Sequence, residues 1–145
     1  MAGQQRSKAK LESLIKSVPL LSACSKKELR SIANVSKVVR FEPGDVICQE
    51  GEVGVGMHMV ISGQTKVQIG GRTRRRLGPG AFFGEIALLD GGPRTATVIA
   101  ETPVETLFVA FWNFKTVLKR EPGLAVKVLE EVCSRIRATD TSINY

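Results

Sequence analysis

Phe82-Phe83-Gly84-Glu85-Ile86-Ala87-Leu88-Leu89-Asp90-Gly91-Gly92-Pro93-Arg94-Thr95-Ala96-Thr97-Val98 interrupts a strand-rich sequence with a glycine bend, one short helical turn, a glycine-rich return and an arginine at the mouth of a strand. Each part suits an anion. A glycine lets backbone N–H groups approach closely. A helix start presents unpaired N–H groups and a partial positive charge. An arginine fork matches two phosphate oxygens in one plane. The carboxylate of Glu85 would repel a bare phosphate, and it fits a ligand that carries a sugar hydroxyl beside the phosphate.

The sequence on either side of this interruption reads as short strands punctuated by glycine. Val38–Phe41 leads into the turn tetrad Glu42-Pro43-Gly44-Asp45. Val46–Cys48 and Met57–Ile61 follow. Thr65–Ile69 alternates, with Thr65, Val67 and Ile69 on one face and Lys66 and Gln68 on the other. Gly70-Gly71 is a two-residue hairpin signal, from which Arg72–Leu77 returns. Thr95–Ala100 and Val104–Ala110 supply two more strands. Short strands at this spacing predict a mainly β fold, a closed β-roll of the double-stranded β-helix or jelly-roll kind.

Helices flank the roll. Leu11, Leu14, Ile15 and Val18 recur at helical spacing before Pro19. Ser25 with Glu28 three residues later reads as a capping box for a second helix with Leu29, Ile32 and Ala33 on its apolar face. Beyond the roll, Phe111, Phe114, Val117 and Leu118 mark a short helix. Pro122 opens another with the stripe Leu124, Val128, Leu129, Val132 and Ile136, ending near Thr139. The tail Asp140–Tyr145 is expected to fray. The organisation is thus one domain: an N-terminal helical segment 1–36, a β-roll 37–110 that contains the segment 82–98, and C-terminal helices 111–145.

With 145 residues and 43% hydrophobic content, the chain can bury one core. No stretch is long and apolar enough to span a bilayer, and the basic start Met1–Lys10 lacks the apolar core of a secretory signal. Cys24, Cys48 and Cys133 are single and scattered, which argues against a disulfide framework and for a cytoplasmic location. No cysteine pair has metal-ligand spacing. The net charge of +7 gathers in Arg6–Lys10 and in Arg72, Arg74, Arg75 and Arg76. It would attract a phosphate ligand, nucleic acid or an acidic partner. A solvated tail and an exposed strand account for most of it equally well. No helix-turn-helix is left over to read nucleic acid directly.

Residues 82–98 resemble the phosphate-binding cassette of the cyclic-nucleotide-binding domain family, which includes cAMP-dependent kinase regulatory subunits, cyclic-nucleotide-gated channels and the catabolite activator. The pattern Phe-Gly-Glu-(aliphatic)-Ala-Leu, a spacer, then Pro-Arg-(Thr/Ser/Ala)-Ala-Thr-Val matches Phe83–Leu88 and Pro93–Val98 without a gap. Glu42–Asp45, Gly51, Ser62-Gly63 and Leu77–Gly80 resemble the family's glycine landmarks. The resemblance implies that Arg94 pairs with the cyclic phosphate and that Glu85 accepts from the ribose 2′-hydroxyl. The N–H groups of Gly84, Ile86 and Ala87 would line the sugar-phosphate, and Thr95 would add an N–H and a hydroxyl. Arg135 falls about where channel domains keep a lid over the base, with Arg137 as its neighbour. A basic last turn also simply suits a helix dipole. The resemblance implies cAMP or cGMP as the ligand. A pocket that reads the base by apolar and stacking contact is expected to hold cAMP more tightly, although in the resembled family a threonine at position 95 can reach the guanine 2-amino group. No catalysis and no cofactor are implied. A protein effector of unknown identity would read out a repositioning of the C-terminal helices. The chain is read as a stand-alone sensor or as the sensor part of a catabolite-activator-type regulator, a channel or a kinase.

Two further residues are read from parity and composition. If Leu77 faces the roll interior, Arg75 and Thr73 share that face, opposite Val67 and Ile69. An inward arginine needs an anion or a π-face. Arg75 therefore either lies over the purine beside Ile69 or sits on a hairpin tip twisted into solvent. His58, the sole histidine, is flanked by Met57 and Met59 and reads as a packed or half-exposed strand residue. One histidine cannot supply the ligand cluster of a cupin-type metal enzyme.

Overall fold

The structure is a computed structural model and describes residues 2–139. The frayed tail expected at Asp140–Tyr145 lies outside the described residues. The chain forms two compact units, residues 34–115 and the helical remainder.

The first unit carries eight short strands: β1 (Lys37–Phe41), β2 (Val46–Cys48), β3 (Gly56–Ser62), β4 (Thr65–Ile69), β5 (Arg72–Leu77), β6 (Phe82–Phe83), β7 (Thr97–Ala100) and β8 (Val104–Ala110). They make two antiparallel four-stranded sheets, ordered β1-β8-β3-β6 and β2-β7-β4-β5. A short helix, α3 (Glu85–Asp90), packs against β3. The β-roll expected from the glycine-punctuated strands is the observed fold. The tetrad Glu42–Asp45 turns as read, with the Asp45 N–H donating to the Glu42 carbonyl at 3.0 Å. Gly70 and Gly71 both adopt positive φ (60° and 79°), the left-handed pair that matches a tight turn to the twist of its flanking strands.

Three details depart from the strand readings. The seventh strand starts at Thr97 rather than Thr95, because Arg94 is tied to the 51–52 loop and the chain bends at Thr95-Ala96 before the ladder begins. Ile69 is exposed rather than inward, since it ends β4 at the hairpin. On β5 the register pairs Val67 with Arg75 but Gln68 with Thr73, which leaves Arg74 as an extra bulged residue. The bulge breaks the expected parity. Arg75 keeps the Val67 face, Thr73 moves to the opposite face, and Arg72 takes its place beside Ile69. All residues of Arg72–Arg76 are exposed, so Arg75 meets solvent.

The helical unit contains α1 (Ala2–Ser17), a 3-10 turn at Pro19–Leu21, α2 (Lys26–Asn34) and α5 (Pro122–Thr139), with α4 (Phe111–Arg120) leading into it from the roll. Both α1 and α5 pack on the 3-10 turn, whose Leu20 and Leu21 are buried. Burial of each leucine contributes about 1.5–3 kcal/mol. The capping box forms as read: the Ser25 N–H donates to Glu28 Oε1 (2.8 Å) and the Glu28 N–H to Ser25 Oγ (3.2 Å). The same Glu28 oxygen accepts from Lys127 Nζ of α5 at 2.7 Å. On α5, Leu124 and Val128 are buried, whereas Leu129 and Ile136 of the expected stripe are exposed.

Candidate functional site

Sequence and local geometry agree at the cassette. β6 pairs with β3, placing Phe83 opposite His58. The chain then turns at Gly84, whose φ of 83° is left-handed, and enters α3. For a residue with a side chain this conformation costs about 1–2 kcal/mol. The return is stitched to the loop before β3. The Gly54 N–H donates to the Gly92 carbonyl, the Arg94 N–H to the Glu52 carbonyl, and the Gly51 N–H to the Arg94 carbonyl, each at 2.8 Å. A bridge between Val53 and Pro93 completes the seam. Arg94 is therefore held by backbone on both sides before its side chain is considered.

That side chain is buried, with 9% of its surface exposed. Two glycines make the room for it. A Cβ at Gly84 would overlap the guanidinium, and one at Gly54 would lie 3.0 Å from Arg94 Nε and 2.6 Å from Ala87 Cβ. The Nη1 atom is buried and has no hydrogen-bond partner among the described residues. Burial disfavours its charge and lowers the guanidinium pKa. A buried, charged donor with nothing to donate to is costly by itself. This arrangement suits an anion arriving from outside the chain.

Arg94 borders a cavity of about 340 Å³ between the two sheets, lined also by Val39, Ile47, Cys48, His58 and Phe108. The walls combine these apolar side chains with the polar groups of Gln49, Glu52, His58 and Arg94 itself. His58 is buried, its Nδ1 sits 2.8 Å from Thr106 Oγ1, and its ring stacks on Phe83 at 5.2 Å between centroids. Burial, aided by the charge of Arg94, pushes its pKa down to about 3, so the imidazole is neutral. Burial pushes the Cys48 thiol up against the opposing effect of Arg94. Cys48 is thus a protonated wall residue.

The structure brings Gly84, Glu85, Ile86, Ala87 and Arg94 into one turn-and-return. Ala87 is buried, Glu85 half-buried and Ile86 exposed. Thr95 is exposed at the bend that follows Arg94. Of the site residues expected from sequence, Arg94 lines the cavity, whereas Gly84, Glu85, Ile86, Ala87, Thr95, Ile69 and Arg75 do not. Arg135 and Arg137 lie on α5 in the helical unit, where Arg135 Nε is 3.7 Å from Glu131 Oε1. Sequence reading missed Gly54 and the wall residues Cys48 and His58. The spacing Gly51-x-x-Gly54 was a visible signal for a close approach, but what approaches is forty residues away in the chain. Among the described residues no helix is long and apolar enough to cross a membrane.

A family profile described as the cyclic nucleotide-binding domain matches residues 38–121. Over 112 residues the chain is 37% identical to a cyclic nucleotide-gated potassium channel of Mesorhizobium japonicum, covering 77% of this chain and 31% of the channel. The chain spans about a third or less of the length of this and other curated relatives it matches. Its fold is similar to that of the N-terminal domain of a transcriptional regulator from Streptomyces coelicolor (TM-score 0.82, 27% identity, covering 90% of this chain and 94% of that one). It is also similar to the regulatory domain of Toxoplasma gondii PKA crystallised with cAMP (TM-score 0.69, 27% identity, covering 77% and 44%). The profile takes in both sheets and the buried arginine between them, and the chain belongs to the cyclic nucleotide-binding domain family.

Proposed function

We propose that the cavity holds a cyclic nucleotide, cAMP in preference to cGMP, and that the chain is a regulatory sensor with no chemistry of its own. The single observation that carries the reading is Arg94 Nη1, a buried cationic donor without a hydrogen-bond partner among the described residues, beside a cavity with both apolar and polar walls. A cyclic phosphate would satisfy it. The N–H groups of Gly84, Ile86 and Ala87 and the Thr95 hydroxyl would take the remaining phosphate and sugar oxygens, and Glu85 would accept from the ribose 2′-hydroxyl. Val39, Ile47 and Phe108 supply apolar surface for a base, which favours the less polar adenine. Arg135 or Arg137 of α5 would close over it, and the resulting shift of the C-terminal helices would be read by an effector. The relatives that carry this domain within channels and kinase regulators support that role as part of a larger protein.

Calorimetric titration of the protein with cAMP and cGMP tests the reading. Arg94→Ala is expected to lose about 2–5 kcal/mol of binding, more than tenfold in affinity. Arg94→Lys restores only part, because an ammonium lacks the planar fork. Normal cAMP binding by Arg94→Ala would remove the assignment, and equal or tighter cGMP binding would reverse the preference.

A further inference from the structure

The arginine run on β5 has no role in the cavity. β5 is the outer strand of its sheet and pairs only with β4, so its other edge is open among the described residues. Arg72 to Arg76 are all exposed. Arg76 has a carboxylate partner, Glu101, at 2.9 Å. Arg72, Arg74 and Arg75 have no carboxylate within ion-pair distance among the described residues. The nearby Glu50 is occupied at the hairpin tip, where its Oε1 accepts from the Gly70 N–H at 3.0 Å.

The bulge decides how these cations are displayed. Cross-strand neighbours share a face, so Arg76 stands on the face of Lys66, while Arg75 and Arg72 stand on the face of Val67 and Ile69. Arg74, at the bulge, opposes no residue. Positive charge therefore flanks the open edge both above and below the sheet. A flat anionic surface such as a membrane meets one side of such an edge, and a nucleic-acid backbone makes no ladder with a strand. An extended polypeptide lying alongside β5 meets both: its backbone pairs with the open edge, and its alternating side chains reach both faces. A second copy of this chain is repelled, since it brings the same arginines and a net charge of +7.

We infer that the β5 edge is a docking site for an acidic polypeptide segment that adds to the sheet as a strand. Its glutamate or aspartate side chains would pair with the guanidinium forks of Arg72, Arg74 and Arg75, the residue type best shaped for carboxylates.

The test is fluorescence anisotropy with a labelled peptide of about eight residues built from repeated Glu-Glu-Val-Val, which in an extended strand sends carboxylates to both faces. Three companions are titrated beside it: the same peptide with glutamine for glutamate, the same peptide with every backbone amide N-methylated, and a labelled DNA duplex. Anionic lipid vesicles are tested by sedimentation. The acidic peptide is expected to bind, to weaken as salt rises, and to lose about tenfold in affinity when its carboxylates or its amide donors are removed. Arg72→Glu with Arg74→Glu is expected to abolish binding while the thermal melt stays that of a folded domain. If that variant does not fold, the peptide series on the unaltered protein still decides. Equal binding of the N-methylated peptide, or tighter binding of DNA or vesicles, overturns strand addition, as does failure of the acidic peptide to bind at low salt.

Discussion

The Arg94 guanidinium occupies the space into which a side chain at Gly84 would grow. The turn that starts α3 and the arginine that ends the return thus compete for one volume, and glycine resolves the competition in favour of the arginine. Gly54 does the same from the other side, against Arg94 Nε and Ala87. Gly84→Ala combines a left-handed φ with this overlap and is expected to destabilise the fold by about 1–2 kcal/mol and to displace the guanidinium. Gly54→Ala carries no such backbone strain, but its Cβ would press on Ala87 Cβ and the Gly92 carbonyl, so it should both destabilise the fold and lower cAMP affinity about tenfold. Paired melting and titration experiments check this. A Gly54→Ala protein with unchanged affinity would show that Arg94 reaches its ligand position without the support of the 51–54 loop.

An unpartnered buried charge is a burden when no ligand is present. Arg94→Met keeps much of the stem volume and removes the charge. It is expected to raise the stability of the ligand-free protein by on the order of 1 kcal/mol, while removing the thermal shift that cAMP produces in the parent. Opposite signs for stability and binding at one residue are characteristic of a group held for a ligand. If Arg94→Met melted well below the parent without cAMP, Arg94 would be a structural residue of the roll.

His58 couples the roll to pH. Its folded pKa of about 3 lies far below the ordinary value of 6.5. A depressed histidine favours the folded state while neutral. Its stabilisation is therefore complete above pH 6.5 and is lost as pH falls from 6.5 toward 3, because the unfolded chain takes up the proton first. The slope is about 1.4 kcal/mol per pH unit for one proton. His58→Phe joins Phe41, Phe83 and Phe108 around that position and should flatten the dependence, at the expense of the Thr106 hydroxyl, which loses its partner. Pairing it with Thr106→Val removes that penalty. Urea denaturation at several pH values measures the slope, and an unchanged slope in His58→Phe would assign the acid sensitivity to other groups.

The parts of this molecule that were legible in sequence are those written in local chemistry. Ser25 and Glu28 are three residues apart and cap each other; Gly70 and Gly71 make their own turn; the glycines and Arg94 of the cassette lie within one short stretch. What escaped depends on distant partners or on an unmarked insertion. Thr95 has the β-branched character of a strand residue, yet the backbone bonds of Arg94 to Gly51 and Glu52 bend the chain there. The bulge at Arg74 is invisible in a run of arginines, because parity is read from alternation of apolar and polar residues and the run has none. Gly54 shows its purpose only when Ala87 and Arg94 are folded against it. Leu129 and Ile136 fit a helical stripe in sequence yet are exposed, because periodicity alone does not say which part of an apolar face is covered.

The ion pair between Glu28 and Lys127 makes a prediction about motion. Burial opposes ionisation of Glu28, but the hydrogen bonds from Lys127 and Ser25 prevail and hold its carboxyl below the usual range. The charged pair at 2.7 Å thereby joins the start of α2 to α5. Glu121, just before α5, adds contacts to Ser31 Oγ at 3.5 Å and Lys27 Nζ at 3.9 Å. Two elements tied at these points should respond together. A ligand shifts α5 only to the extent that it binds one arrangement more tightly than the other, and a change from about 1:99 to 99:1 requires roughly 5.5 kcal/mol of difference. Hydrogen exchange with and without cAMP is the direct measurement. Protection is expected in Gly84–Leu88, in Pro122–Ala138 and in α2 together. In Lys127→Met the charge link is gone, and protection of α2 should fall while that of Gly84–Leu88 persists. Protection confined to the cassette in the parent protein would make α5 a fixed element and leave the signal to be carried by the roll itself. Protection of α2 unchanged in Lys127→Met would place the coupling in the apolar contacts of Leu20, Leu21 and Leu124 rather than in the ion pair.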